Sequence, residues 1–342
     1  MEPQDTCDLS IVVPVFNEEE AISVFLAALA PILNSLDLAA YEVVFVDDGS
    51  TDRTIEAIEA AQQEHPFTKL VSLSRNFGKE AALTAGLEWS RGAAVVPMDV
   101  DLQDPPELLV EFVRLWRDEG YEVVYGLRQD RSSDSSAKRN SAGIFYRVFN
   151  MVADRPIEPD AGDFRLITRK VVEATLQLRE RNRFMKGIFS WVGYKRIAVP
   201  YTRPPRAAGE TKFNYWKLWN FALDGITGFS TVPLKLWTYV GVFVAFLAFL
   251  YTVYLVGTTL MFGRDVPGYA STLAIVLFLG GVQLISLGVI GEYLGRLYLE
   301  VKGRPIYLVR GTMGFDTAQR RSSGPHPVAR AVPKTDFDDE AV

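Results

Sequence analysis

Two long segments towards the carboxyl end of the chain contain no charged side chain. They run from Leu236 to Gly263, 28 residues, and from Val266 to Gly291, 26 residues. A helix of about 20 apolar residues spans the hydrocarbon core of a bilayer, so each segment is long enough to cross one. Two buried helices of a soluble protein are the alternative. We predict a two-helix transmembrane hairpin over residues 235–300, with a tight turn at Arg264 and Asp265.

Basic side chains flank this predicted hairpin on both sides. They are Arg203, Arg206, Lys212, Lys217 and Lys235 before it, and Arg296, Lys302, Arg304 and Arg310 after it. Only Arg264 lies between the two segments. Because basic residues concentrate in cytoplasmic loops, we expect a cell-membrane protein with two spans, whose large amino-terminal part and both termini are cytoplasmic. Glu292 and Arg296 lie four residues apart and are expected to form an ion pair.

Charge and cysteine content narrow the class of protein. The 342 residues carry a net charge of -6, which argues against a general affinity for nucleic acid. Cys7 is the single cysteine, so no internal disulfide is possible and a reducing compartment fits. Residues 1–10 contain acidic but no basic side chains, so they do not resemble a secretory signal.

The first 130 residues alternate short β-rich runs with helical patterns. We predict strands at 11–15, 43–46, 70–73, 93–98 and 122–125, and helices at 17–36, 53–63, 79–90 and 106–119. Asn17 and Glu20 have the spacing of a capping box, so Asn17 is expected to cap the first helix. Such alternation predicts an α/β fold whose mostly parallel sheet is covered on both faces. Ligands of these sheets bind beyond the carboxyl ends of the strands.

The remaining segments complete the predicted organisation. The polar stretch 128–139 is predicted to be a mobile loop, and the aromatic-rich helix 213–229 to lie along the membrane surface. Residues 184–191 form either a second surface helix or a core helix. The tail from about 317 is expected to be disordered. The predicted domains are a cytoplasmic α/β domain at 1–212, an interfacial region at 213–234, the hairpin at 235–300 and a cytoplasmic segment at 301–342.

Two closely spaced carboxylates end the fourth predicted strand. The sequence from Met98 to Glu107 reads M-D-V-D-L-Q-D-P-P-E. Alternate side chains of a strand point the same way, so Asp99 and Asp101 are expected to face one point. Adjacent carboxylates repel unless a cation lies between them, and hard oxygen ligands suit Mg²⁺ or Mn²⁺. A solvated acidic turn is the alternative.

Four predicted loops should meet at this edge, because each follows a strand and precedes a helix. Their sequences are P-V-F-N-E at 14–18, D-D-G-S at 47–50, R-N-F-G-K at 75–79 and D-V-D at 99–101. Backbone amides and helix amino termini in such loops bind anions, and Lys79 is expected to meet a phosphate. Taken singly, Asp47 and Asp48 are equally well explained as turn and cap residues. Together the loops indicate a site for a nucleoside diphosphate and a metal ion.

The combination of motifs resembles the inverting nucleotide-sugar glycosyltransferases of the GT-A fold, and more narrowly the polyprenyl-phosphate glycosyltransferases. The resemblance covers roughly residues 9–310 and is carried by P-V-F-N-E, V-D-D-G-S-x-D, R-N-F-G-K, M-D-V-D-L-Q-D-P-P-E and G-D-F-R-L. It is strongest to bacterial members with a carboxyl-terminal two-helix membrane hairpin. The Q-x-x-R-W motif of processive polysaccharide synthases is missing, which argues against a polymerase.

The resemblance implies roles for the matching residues. The nucleotide-sugar pocket is implied to contain Pro14, Asn17, Glu18, Asp47 and Asp48, with Lys79 added by the phosphate argument. Mg²⁺ or Mn²⁺ is implied to bind Asp99, Asp101 and Gln103. The acceptor phosphate or the diphosphate is implied to meet Arg128, Arg139, Arg206 and Lys212. Asp163 matches a catalytic or sugar-orienting position, with a cap or a salt bridge to Arg165 as its alternative; Arg206 and Lys212 alternatively serve topology and anionic headgroups.

A lipid phosphate is a chemically reasonable acceptor for such a site. Its second pKa is about 6, so it is mostly a dianion at neutral pH and needs no strong general base. We expect inverting transfer of one sugar to undecaprenyl or dolichyl phosphate at the cytoplasmic membrane face, from UDP-glucose or a similar UDP-sugar, with GDP-mannose as another donor. The resemblance also implies a homo-oligomer, a tetramer. Alternatives are a glycosyltransferase with a diacylglycerol, protein or glycan acceptor, and an inactive membrane scaffold subunit.

Overall fold

The structure of the chain is a computed structural model. It describes residues 7–128, 161–178, 180–181, 183, 185–202, 232–262 and 268–315. These residues belong to two units, one built around a β-sheet and one built from two long helices. Several predicted segments lie outside the described residues: the loop from 129 to 139, the helix at 213–229, the turn of the hairpin and the tail from 317. Arg128, the first residue of the predicted loop, is described and ends a strand instead.

The described part of the first unit has eight strands and six helices. They are β1 (Leu9–Val15), α1 (Ala21–Ser35), β2 (Tyr41–Asp47), α2 (Thr54–Glu64), β3 (Thr68–Leu73), α3 (Lys79–Trp89), β4 (Ala94–Pro97), α4 (Leu108–Arg117), β5 (Val123–Arg128), β6 (Ala161–Thr168), α5 (Arg169–Gln177), α6 (Met185–Trp191), β7 (Arg196–Tyr201) and β8 (Val309–Met313).

The strands form one sheet in the order β7-β5-β6-β4-β1-β2-β3-β8. Four neighbouring pairs are parallel: β1 with β2, β1 with β4, β2 with β3 and β5 with β7. β6 runs antiparallel to β4 and β5, and β8 runs antiparallel to β3. The predicted α/β fold with a mostly parallel sheet is confirmed. The carboxyl ends of β1–β5 and β7 therefore share one edge of the sheet with the amino end of β6.

Both faces of the central strands are covered, as the continuous apolar runs in the sequence predict. Val43 and Phe45 of β2 belong to a core cluster that includes one side of α1. Val44 and Val46 point the other way and pack with small residues of α3. A Cβ atom on Gly86 of α3 would lie 3.1 Å from a methyl carbon of Val46, so a glycine permits this close approach.

The first helix begins later than the capping-box spacing predicts. α1 starts at Ala21, and its N-cap residue Glu20 makes no capping hydrogen bond with its side chain. Asn17 instead has a positive φ of 55°, a conformation that asparagine adopts more readily than most residues. The predicted cap at Asn17 is therefore wrong, and its side chain is used between loops.

The strand β8 was not predicted, and it extends the sheet beyond β3. It follows the second long helix in the sequence, in the segment that we had predicted as a separate carboxyl-terminal stretch. Tyr307 and Val309 are buried, and the amide of Ser74 donates to the carbonyl of Leu308 at 2.8 Å. The sequence V-R-G-T-M is short and mixed in polarity, so no apolar periodicity marks it as a strand. Residues 305–315 nevertheless belong to the first unit.

The second unit contains two helices, α7 (Val232–Phe262) and α8 (Tyr269–Val301). Within them, Trp237–Phe262 and Phe278–Val301 are long and apolar enough to cross a membrane, by length and composition. None of the residues in the apolar windows of these stretches is buried, unlike those of a soluble core helix. Arg296 donates to Glu292 at 2.7 Å, so the predicted ion pair is confirmed.

Candidate functional site

The topology of the sheet brings the predicted site loops to one edge. β1, β2, β3 and β4 are parallel, so the loops that follow them lie side by side. β6 runs the opposite way and begins at this edge, which places Asp163 near its start. Arg128 and Tyr201 end β5 and β7 at the same edge and are register partners. The arrangement explains why motifs far apart in the sequence meet.

Asp48 joins the second loop to the third. One carboxylate oxygen accepts from the amide of Phe77 at 2.7 Å, and the other accepts from the amide of Gly78 at 2.8 Å. Burial raises the pKa of Asp48, and these two amide donors oppose the rise. In this structure Asp48 is thus a structural clamp at the loop edge, whose carboxylate is already engaged with the backbone.

Gly49 makes this contact possible. Its φ is +73°, and a Cβ atom there would lie 2.7 Å from both the Cα of Arg75 and the amide nitrogen of Asn76. A larger side chain would strain the turn and also push the third loop away. The D-D-G-S motif therefore places its glycine where two loops touch.

Asn17 joins the first loop to the second. Its backbone amide donates to the Ser50 hydroxyl at 2.9 Å, and its side-chain oxygen accepts from the backbone amide of Thr51 at 2.9 Å. The amide of Glu18 donates to the Thr54 hydroxyl, also at 2.9 Å. These bonds fix the loop after β1 against the start of α2.

Asp47 and Pro14 are the more internal members of the predicted nucleotide pocket. Asp47 is fully buried, and its carboxylate accepts from the amide of Ser50 at 3.0 Å and the hydroxyl of Ser72 at 3.1 Å. Pro14 lies in β1 and is the register partner of Val46. The contacts of Asp47 are those of a turn residue, the interpretation that the sequence had left open for it.

The two carboxylates of the D-V-D sequence do not lie on a strand. β4 ends at Pro97, so Asp99 and Asp101 belong to the turn that follows. The prediction that these two residues lie on a strand is therefore wrong. The turn includes Leu102 with a positive φ of 54°. Asp101 accepts from the backbone amide of Gln103 at 3.1 Å, while Val100 is buried. Turn geometry, rather than strand pleating, therefore orients these side chains.

Lys79 connects the third loop to the fourth and to β6. Its ammonium lies 2.7 Å from one carboxylate oxygen of Asp99 and 3.4 Å from a carboxylate oxygen of Asp163. Loss of solvent lowers the pKa of Lys79, but the two carboxylates outweigh this effect and raise it. We expected Lys79 to meet a phosphate; here it neutralises two predicted site acids.

Asp163 lies in an unusually charged environment. Burial alone would raise its pKa, but the cations Lys79, Lys186 and Arg165 lower it to about 2. Its Oδ1 is buried and has no hydrogen-bond partner within the described residues. An ionised carboxylate with one oxygen unengaged is suited to accept a hydrogen bond from a sugar hydroxyl or to face developing positive charge.

Glu80 belongs to the same charged cluster but was missed by the sequence reasoning. Its carboxylate accepts from the amide of Met185 at 3.2 Å, which joins α3 to α6. Burial and repulsion by Asp163 raise its pKa to about 7, although Met185, Lys79 and Lys186 oppose the rise. Its position next to Lys79 is the only sequence signal for it. In α6, Met185, Ile188 and Phe189 are buried, which favours the core interpretation of residues 184–191.

The acidic turn offers oxygen ligands rather than a complete protein cage for a metal. Among the described residues, no group of three or more His, Cys, Asp or Glu side chains is placed to hold an ion. Asp99, Asp101 and Gln103 supply two carboxylates and an amide. Mg²⁺ is commonly held by one or two carboxylates together with substrate phosphates. The donor set therefore fits a divalent cation that is shared with a bound diphosphate.

Of the four residues predicted to bind the acceptor phosphate or the diphosphate, the described part of the chain includes one. Arg139, Arg206 and Lys212 lie outside the described residues, whereas Arg128 lies at the site edge.

Comparison with known proteins agrees with this arrangement. A family model described as "Glycosyl transferase family 2" matches residues 10–176, and a "GtrB C-terminal hairpin" matches residues 232–297. An uncharacterized glycosyltransferase of Synechocystis, sll0501, is 52% identical over 91% of this chain and 97% of the relative. The SfII prophage-derived bactoprenol glucosyl transferase of Shigella flexneri is 51% identical over 88% of this chain and 97% of the relative. A prophage bactoprenol glucosyl transferase homolog of Escherichia coli is 49% identical over 88% of this chain and 98% of the relative.

These matches cover both the unit with the sheet and the two-helix unit. The family match includes the β-sheet from β1 to β6 and four site loops, and the second match includes most of α7 and α8. The resemblance inferred from the motifs, the GT-A fold class and the assignment as an enzyme that transfers sugars are thereby confirmed. The chain belongs to glycosyl transferase family 2 and carries the GtrB carboxyl-terminal hairpin.

Proposed function

We propose that this protein transfers a single glucose, with inversion, from UDP-glucose to a polyprenyl phosphate such as undecaprenyl phosphate. The observation that carries the proposal is the 51% identity to bactoprenol glucosyl transferases over 88% of the chain. The aligned region includes both the glycosyltransferase unit and the hairpin, which supports transfer of glucose to a lipid acceptor by a membrane-attached enzyme. The charged cluster of Asp99, Lys79 and Asp163 supplies the chemical setting.

The donor is expected to lie over the loops at the carboxyl edge of β1–β4. Pro14, Asn17, Glu18, Asp47 and Asp48 shape the nucleotide pocket in this proposal. Because Asp48 and Asn17 already bind the neighbouring loops, their main contribution is to hold backbone groups in place for the nucleotide. Asp47, which is buried below the loops, contributes in the same way by holding the Ser50 amide.

Asp99, Asp101 and Gln103 would hold Mg²⁺ or Mn²⁺ against the donor diphosphate. A bound divalent cation there would stabilise the charge that the leaving nucleotide gains. The Lys79 ammonium forms an ion pair with Asp99 and so neutralises the charge of that carboxylate in this structure. On donor binding, we expect the Lys79 ammonium to turn towards the diphosphate while the acidic turn holds the cation.

Asp163 is the residue that we assign to the reacting sugar. Its low pKa makes it a poor proton acceptor, and a lipid phosphate dianion needs little help from a base. We therefore assign Asp163 to sugar orientation or to stabilisation of positive charge at the anomeric carbon. Arg128, with Arg139, Arg206 and Lys212, is assigned to the approaching acceptor phosphate.

The acceptor must be reached at a membrane surface. α7 and α8 are assigned as the membrane hairpin, with the glycosyltransferase unit and both termini on the cytoplasmic side. Basic residues on the outer flanks of the hairpin support this orientation. Self-association, as a tetramer by family resemblance, is part of the proposal.

The test is product analysis with a panel of donors. The full chain, purified in detergent, is incubated with undecaprenyl phosphate and, in turn, UDP-glucose, UDP-galactose, UDP-N-acetylglucosamine or GDP-mannose. Mass spectrometry of the lipid phase should detect hexosyl undecaprenyl phosphate with UDP-glucose above all other donors. A sugar in the lipid phase only with another donor would overturn the donor assignment. A sugar in no lipid product with any donor would favour the scaffold alternative.

A further inference from the structure

Tyr201 connects a strand end to the acidic turn at the site. It is the last residue of β7, and its hydroxyl donates to Oδ1 of Asp104 at 2.6 Å. Tyr201 is 8% exposed and Asp104 is 6% exposed, so the bond is formed away from solvent. Asp104 directly follows Gln103 in the turn that begins with Asp99. The bond therefore ties this turn to a strand three places away in the sheet.

The ring of Tyr201 packs against Gly126 of β5 and Phe164 of β6. A Cβ atom on Gly126 would lie 2.8 Å from Cε1 of Tyr201 and 3.4 Å from Cδ1 of Phe164. The rings of Phe164 and Tyr201 pack edge to face, with centroids 6.3 Å apart. Phe164 follows Asp163 on β6, and Tyr201 is the register partner of Arg128 on β5. A shift of the ring would thus disturb the Asp104 turn, Phe164 of β6 and the pairing of β7 with β5.

We infer that Tyr201 is a positioning residue that acts through Asp104 to hold the metal-binding turn in register with Asp163. This inference deepens the proposed function and rests on its assignment of the metal to Asp99, Asp101 and Gln103. Groups that hydrogen-bond directly to metal ligands commonly change metal affinity by about 10- to 100-fold when they are removed. Tyr201 bonds Asp104, the residue after the assigned ligand Gln103, so we expect an effect at the lower end of that range. Tyr201→Phe keeps the ring contacts and removes the hydrogen bond to Asp104.

The chain offers a matched control for this change. Tyr307 is 2% exposed, and its hydroxyl donates to the carboxylate of Glu88. Glu88 lies nine residues along α3 from Lys79, roughly 14 Å away at the rise of a helix. Tyr307→Phe therefore removes a bond of the same chemistry, from a buried tyrosine to a carboxylate, outside the site.

The experiment measures binding of Mn²⁺ to the full chain in detergent in the presence of UDP, from the electron paramagnetic resonance signal of free Mn²⁺. Tyr201→Phe should raise the Mn²⁺ dissociation constant by about tenfold. Asp104→Ala removes this bond together with the other interactions of the carboxylate, so it should raise the constant at least as much. The double variant should be no worse than Asp104→Ala alone. Asp104→Asn, which keeps an oxygen acceptor, should bind more nearly as the wild type does.

The outcomes separate this inference from the function that it rests on. Tyr307→Phe should lower the melting temperature and leave Mn²⁺ affinity unchanged. If Tyr201→Phe also lowers only the melting temperature, Tyr201 is structural and the inference is overturned while the metal assignment stands. If the wild-type chain with UDP binds no Mn²⁺, the metal assignment fails and the inference fails with it.

Discussion

The Lys79 ammonium lies 2.7 Å from one carboxylate oxygen of Asp99 and 2.8 Å from the other. The same ammonium is 3.4 Å from a carboxylate oxygen of Asp163. Asp163 lies on β6, 84 positions later in the sequence than Lys79. One cation thus balances two acids to which we assign different tasks, metal binding and sugar orientation. Lys79 therefore couples the acidic turn to β6 electrostatically, through its ion pairs with Asp99 and Asp163.

Removal of the Lys79 charge should impair transfer more than it impairs folding. Lys79→Met leaves Asp99 and Asp163 without their shared cation and raises the pKa of Asp163, so we expect the rate to fall by about tenfold or more. Lys79→Arg keeps the charge and should retain an intermediate rate. Initial rates of lipid-linked sugar formation measure the effect.

A second lysine provides the control for that change. Lys69 lies 2.7 Å from the buried carboxylate of Glu42, in a pair between β2 and β3. Lys69→Met should lower the melting temperature because it removes the cation that pairs with the buried Glu42 carboxylate. It should not change the Michaelis constant for the donor. Equal kinetic losses in both lysine variants would contradict a specific role for Lys79.

Substitution of Gly49 should test the contact between the second and third loops. Gly49 and Gly120 both have positive φ, 73° and 66°, but only Gly49 has backbone atoms where a Cβ would lie. Gly120→Ala should cost about 1–2 kcal/mol of stability from backbone strain alone. Gly49→Ala should cost more and should also weaken UDP binding, because the Arg75–Asn76 backbone must move. Isothermal titration with UDP and thermal unfolding provide the two readouts; unchanged UDP affinity would show that this contact does not shape the pocket.

Ionisation of Glu80 should make the free energy of unfolding depend on pH. Its pKa rises from 4.5 to about 7 in the folded protein, so the folded state resists its ionisation. The group is neutral in both states at low pH, and it destabilises the fold as pH rises from 4.5 through about 7. Glu80→Gln removes this penalty, although the glutamine still faces Asp163, Lys79, Lys186 and the amide of Met185.

Thermal unfolding of Glu80→Gln and wild type over this range measures the effect. The variant should gain stability relative to wild type as pH rises, and the gain should level off above about 7. Glu59→Gln, on the exposed side of α2, is the control and should show no such trend. A constant difference between Glu80→Gln and wild type at all pH values would contradict a raised pKa.

Neutralisation of Asp163 should abolish most turnover. Asp163→Asn keeps the size of the side chain but removes the charge, so we expect a loss of about 100-fold or more at neutral pH. Because the wild-type pKa is about 2, no acidic limb of the rate profile near neutrality should belong to Asp163. Asp118→Asn, at the exposed end of α4, should behave as the wild type does. Near-normal turnover of Asp163→Asn would exclude both roles proposed for this carboxylate.

Apolar runs made the central sheet predictable. β1 to β5 were each expected within a few residues, because buried parallel strands appear as continuous β-branched runs between helical patterns. β8 was missed because its stability comes from pairing with β3 and from the buried Tyr307, a contact between residues more than 200 positions apart. Such a contact leaves no local pattern.

The site was only partly predictable for the same reason. Motif spacing placed Asp48, Lys79 and Asp99 at one edge, and the structure brings their loops together. It did not indicate that Asp48 would be engaged with backbone amides or that Lys79 would bridge two acids. Glu80 was missed because its raised pKa depends on burial and on Asp163, neither of which is visible in its neighbourhood in the sequence.

The most direct test of the account asks whether the acceptor must carry a phosphate. The full chain is given labelled UDP-glucose with undecaprenyl phosphate, undecaprenol or diacylglycerol, and label in the lipid phase is measured. We predict transfer to undecaprenyl phosphate only, with the label lost in Asp163→Asn. Equal transfer to undecaprenol or to diacylglycerol would contradict an acceptor that attacks through an ionised phosphate.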